Sequence, residues 1–154
     1  ALINSPACVV AEGIATTALE TVLPEDALED WYRKEILPRA GTTHIDAARM
    51  MELDRAAKQM SGHWGNAAFM LYEQKKSTEE ISTYLQKYAL DTEQEANHAI
   101  KFISNPLSRS YIFTYHIGRD LLEELFTHGA RDKYFARLLE EPVTPSQIRQ
   151  WIKN

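Results

Sequence analysis

DAARMMELDRAAKQMSGHWGNAAFMLYE, residues 46–73, decides the fold class. Its apolar residues Met50, Leu53, Ala57, Met60, Trp64, Ala67 and Leu71 recur at alternating intervals of three and four, the spacing of one helical face. Read as a single helix, the stretch is about 40 Å long at about 1.5 Å per residue.

The punctuation on either side is that of further helices. Ser5-Pro6 places a hydroxyl at a cap position and a proline where its missing N–H does no harm, opening a helix to about Val22. Pro24 opens a second, acidic at its start, that ends near Pro38 and Gly41. Ser77 to Glu80 is a capping box, with Ile81, Tyr84, Leu85 and Tyr88 facing inward behind it. Asp91 to Gln94 is a weaker, aspartate-led version that starts another helix. Asn105-Pro106 breaks the chain, and a strongly apolar helix follows from about Leu107 to His128, stopped by Gly129. Thr144 to Gln147 is a third capping signature, ahead of Ile148, Trp151 and Ile152. Alternating apolar runs and Asn-Gly or Asp-Gly turns, the marks of hairpins, are absent. The expectation is an all-α protein, one domain over residues 1–154, built as a multi-helix bundle of about seven helices.

With 44% hydrophobic and 25% charged residues the chain has the composition of a globular protein with a real core. The net charge is −5 and the only basic cluster is Lys75-Lys76, which excludes nucleic acid and anionic membrane as expected partners. No apolar stretch approaches the roughly 20 residues that span a bilayer. ALINSPACVV, residues 1–10, carries no basic n-region and does not read as a signal peptide. Cys8 is the sole cysteine, so an internal disulfide is impossible, and a reducing cytoplasmic location is expected.

Familiar catalytic patterns are missing. No two of the five histidines stand at i, i+4, so there is no H-E-x-x-H zinc helix. One E-x-x-H, Glu95 to His98, lacks the second copy that a di-iron bundle needs, and His98 reads as a surface residue. There is no G-x-S-x-G, the glycines form no phosphate loop, and Cys8 in its apolar helix reads as a small hydrophobe.

Three local features remain. Glu12-Gly13 interrupts an apolar turn. Glu12, Thr16 and Glu20 form either a solvated stripe or, with Gly13 admitting a neighbouring backbone, part of a crowded interior. Gln59, His63 and Asn66 form a polar strip beside Trp64 that either faces water or lines a cleft. Tyr111, Tyr115, Gly118, Arg119 and Leu122 share one helix face. The phenols and guanidinium there suit a carboxylate or an oxyanion, and an aromatic core stripe is the alternative. His116 is expected to point elsewhere and pair with Asp120.

Cys8-Val-Val-Ala-Glu12-Gly-Ile-Ala15 and Tyr115-His-Ile-Gly118 resemble the E-G-(apolar)-A and Y-x-x-G segments of a group of helical bacterial proteins related to carboxypeptidase Taq. Those are all-helical gluzincin zinc metallopeptidases. The Trp64 to Ala67 segment is similar to their intervening long helix, and Glu140 to Pro145 to their closing helix-loop-helix. The resemblance implies that the chain is the C-terminal portion of a larger gluzincin-like fold, whose missing N-terminal part carries the zinc-binding histidines. It further implies Glu12 as the third metal ligand, Tyr111 and Tyr115 as catalytic oxyanion donors, and Arg119 as the holder of a substrate carboxylate, with His63 and Asn66 of the polar strip as further candidates to bind a peptide substrate. Zinc is then expected in the full-length protein and not tightly on this chain alone, which would be inactive. Apolar surface exposed on the first helix would favour a homodimer. The alternative is a non-catalytic helical bundle that serves as a protein-interaction or small-ligand-binding module.

Overall fold

The computed structural model describes residues 5–60 and 62–153, except for the side chain of Glu25. It is all-helical, with no strand among the described residues. In chain order the helices are α1 (Pro6–Val22), α2 (Glu25–Trp31), a π-helical turn (Tyr32–Ile36) running on into α3 (Leu37–Arg39), α4 (Ala47–Gln59), α5 (His63–Tyr72), α6 (Thr78–Tyr88), α7 (Glu93–Ser104), α8 (Ile112–Phe126), α9 (Arg131–Glu140) and α10 (Pro145–Lys153). No single described helix is long and apolar enough to cross a membrane.

Within residues 46–73 the chain forms two helices, α4 and α5, rather than one. Helix α4 ends at Gln59 and α5 begins at His63, with Gly62 as its cap residue. The break divides the apolar stripe. In α5, Ala67 is fully buried and Trp64 and Leu71 half-buried, whereas in α4 Leu53 is 59% exposed and Met60 40% exposed. Helix α4 instead buries Ala47 and Met51. A three-four spacing shows that a segment is helical; it does not show that the whole segment shares one axis.

The capping signatures behave as local chemistry dictates. Ser77 and Glu80 form the expected reciprocal box at α6. At α7 the box is led by Thr92 with Glu95, one residue later than the aspartate-led version. Thr144 and Gln147 exchange bonds ahead of α10. The Ser5 hydroxyl makes no cap bond and instead lies 3.8 Å from the Cys8 sulfur. Residues 105–111 form consecutive turns, so α8 begins at Ile112 rather than near Leu107. Helix α9 is announced by no capping signature or apolar spacing, only by the resemblance of residues 140–145 to a closing helix-loop-helix. Its cap residue is Ala130, with no side-chain bond, and its apolar set is brief.

Two cores result. One gathers Ala67, Ala68, Ile81, Leu85, Ala96, Ala99, Ile100, Ile103 and Ile112 from α5, α6, α7 and the start of α8. The other joins Val10 of α1 to Leu121, Leu122, Leu125 and Phe126 of α8, Phe135 and Leu138 of α9, Val143, and Ile148 of α10. Each fully buried leucine or isoleucine contributes roughly 1.5–3 kcal/mol. Helix α8 belongs to both cores and is the spine of the molecule, with α1 as its main partner.

Candidate functional site

Helices α1 and α8 meet at two glycines. A Cβ built on Gly13 would lie 2.6 Å from the Gly118 carbonyl oxygen, and one on Gly118 would lie 2.8 Å from the Gly13 nitrogen. Only hydrogen fits at either position, so the two backbones touch. Thr17, one turn past Gly13, is fully buried and turns its hydroxyl back to the Gly13 carbonyl at 2.8 Å. The crowded interior is therefore the correct reading of Gly13, and the backbone that it admits is that of Gly118.

This crossing brings Glu12 to Tyr111, 99 residues away, and the phenol donates to the half-buried carboxylate. That hydrogen bond, then partial burial and the Glu12 charge, push the Tyr111 pKa above the usual phenol range. The Tyr115 ring stands edge-on to Tyr111, with centroids 5.4 Å apart. The other members of the Glu12 stripe are engaged as well. The Thr16 hydroxyl bonds to the Glu12 carbonyl, and Glu20 accepts from Lys58. Lys58 also pairs with Asp54 at 2.6 Å. Burial lowers the Lys58 pKa, and the hydrogen bonds and charges of Asp54 and Glu20 outweigh it, raising it above the usual lysine value.

Tyr115 also edges a cleft of about 430 Å³, where it meets His63 of α5, His98 of α7 and His116 of α8 above Trp64 and Phe102. Three of the five histidines, from three helices, thus line one cleft, which no sequence spacing announces. Trp64 is anchored by its indole N–H to Asp91 at 3.2 Å. His116 does not turn to Asp120. It lies against the Phe113 ring and over Gly65, where an added Cβ would come within 3.1 Å of its ring.

The remaining expected site residues face elsewhere. Asn66 donates to the Tyr84 hydroxyl at 3.1 Å, on another side of α5. Arg119 lies along α8 beside a different cavity, and one of its guanidinium nitrogens donates to the Lys58 carbonyl at 3.4 Å. The structure therefore unites Glu12, Tyr111 and Tyr115, attaches His63 to that group through the cleft, and separates Asn66 and Arg119 from it.

Among the described residues no three histidine, cysteine, aspartate or glutamate side chains are grouped to hold a metal ion. Tight structural and catalytic zinc sites take three or four such ligands. Glu12 with two phenols does not fit zinc by itself. Comparison with known proteins finds no matching family model, no matching curated sequence and no matching solved structure.

Proposed function

We propose that this helical unit forms one wall of a zinc-dependent, peptidase-like hydrolase site, with Glu12 as its acidic metal ligand and the other ligands supplied from outside these 154 residues. The observation that carries the reading is the Tyr111–Glu12 hydrogen bond. The two short segments that resemble the gluzincin-related proteins lie far apart in sequence, and they meet through the Gly13–Gly118 crossing. When bound, zinc would supply Lewis acidity and an activated water.

Within the chain, each residue has a limited task. Tyr111 fixes the direction of the Glu12 carboxylate by donating to it, as hydrogen-bonded partners orient ligating carboxylates. Tyr115, 38% exposed at the cleft edge, has a hydroxyl available to an oxyanion on a bound peptide. His63, His98 and His116 line the surface over which that peptide would lie.

The alternative is a non-catalytic ligand-binding bundle, in which Tyr111 is the only partner that Glu12 requires. Zinc content separates the two. The longest natural polypeptide containing these residues, purified without added metal, should hold stoichiometric zinc that Glu12→Ala removes. A zinc-free wild type, or an unchanged zinc content in Glu12→Ala, refutes the hydrolase reading.

A further inference from the structure

A second cavity, of about 460 Å³, opens where the C-terminal half of α1 and Arg119 of α8 face α2, the π-helical turn and α4. It lies about two helical turns along α1 from Glu12, about 12 Å at 1.5 Å per residue, and shares no residue with the histidine cleft. Its volume is within the roughly 300–1,000 Å³ typical of small-molecule sites.

The apolar part of the lining is Leu19, Leu23, Leu28, Met50 and Met51 with Tyr32. Two adjacent methionines make an adaptable surface that accepts hydrocarbon of varied shape. Tyr32 is the first residue of the π-helical turn Tyr32–Ile36. Such turns cost helical regularity and occur frequently at functional sites. Here the irregularity falls where the helix borders the cavity.

Of the charged residues that line the cavity, Glu20, Asp54, Lys58 and Glu123 have ion-pair partners, and Arg55 is engaged as well. Lys58 bridges Glu20 and Asp54. Glu123 is held by Arg131, with its shorter contact at 2.7 Å. Arg119 makes no ion pair among the described residues, and its bond to the Lys58 carbonyl, at 3.4 Å, is long. A guanidinium has five N–H donors arranged to clasp a carboxylate with two of them. The acids around the cavity are occupied, and Arg119 keeps donor capacity beside an apolar surface.

We propose that this cavity binds a small amphipathic carboxylate, its head on Arg119 and its aliphatic body against Met50, Met51 and the leucines of α1 and α2. This goes beyond the zinc reading and does not depend on it, since none of its residues contributes to the Glu12 group.

Isothermal titration of the purified chain near neutral pH with decanoate tests the proposal, with decan-1-ol as the head-group control. Wild type should bind decanoate saturably at one site. Arg119→Gln should weaken decanoate by about tenfold or more, the usual scale for losing a charge-assisted bond, and leave decan-1-ol unchanged. Leu19→Trp, at a position 38% exposed on the cavity wall, should block both probes. Absence of saturable decanoate binding to wild type overturns the proposal. Equal weakening of both probes by Arg119→Gln overturns the role of the guanidinium. Undiminished binding to Leu19→Trp overturns the location.

Discussion

Replacing Gly118 by alanine tests the arrangement of the whole molecule. In an unobstructed helix the change stabilises by about 1 kcal/mol. Here the new Cβ would meet backbone: the Val9 carbonyl, the Gly13 nitrogen at 2.8 Å and the Gly13 Cα at 3.2 Å. Comfortable carbon contacts lie near 3.5–4.0 Å, so the helices must separate by roughly 1 Å. Overpacking costs about 1–3 kcal/mol. The upper end applies because no rotamer change relieves a clash with main chain, and separation also loosens Val10, Thr17 and Leu122 along the seam. The net expectation is a loss of about 2 kcal/mol, and with it a fall in Tm of about 4–8 °C for a chain of this length. Urea and thermal unfolding followed by circular dichroism measure it. Gly62→Ala is the control, because an added Cβ there has no atom within 4 Å, and it should stay within about 0.5 kcal/mol of wild type. A Gly118→Ala protein as stable as wild type would refute backbone contact between α1 and α8.

The Tyr111–Glu12 bond should appear as a pH dependence. The folded-state pKa of Tyr111 is raised, so its contribution to stability is full below the unfolded phenol value and is lost as pH rises beyond it. Between about pH 9 and about pH 11 the urea midpoint should therefore fall more for wild type than for Tyr111→Phe, and equal falls would contradict the bond. Leu90, 74% exposed with φ +61°, holds a left-handed conformation just past α6. Glycine is at ease there, so Leu90→Gly should stabilise by about 0.5–1 kcal/mol in the same urea assay, and a loss of stability would count against that backbone geometry.

Which features were legible in the sequence follows from the range of the forces involved. The boxes at Ser77 and Thr144 were readable because a cap is made by residues three apart, whatever else surrounds them. Helix α9 was not readable from caps or spacing, since Ala130 offers no cap and its stability comes from Phe135 and Leu138 packing on α8 and α10. The stripe from Met50 to Leu71 gave the helical state correctly and the burial of Leu53 and Met60 incorrectly, because the break at Gly62 turns α4 away from the core of α5. At the candidate site, the glycine beside Glu12 signalled close approach but not its partner. Tyr111, Tyr115 and Arg119 share a helix face, yet Tyr115 and Arg119 border different cavities, because α4 and α5 part beside α8.

By itself, then, the sequence determined that this chain is helical, where most helices start and stop, and which positions are unusual enough to matter. These properties arise from backbone geometry and from side chains within a turn of one another. The tertiary structure alone decided that Glu12 meets Tyr111, that three histidines share one cleft, and that Arg119, with no ion pair among the described residues, borders a cavity of mixed apolar and charged lining. The histidine cleft depends on how α5 and α7 pack beside α8, and the Glu12–Tyr111 pair on how closely α1 can approach α8. That distance is set by two glycines more than a hundred residues apart, and no local pattern encodes it.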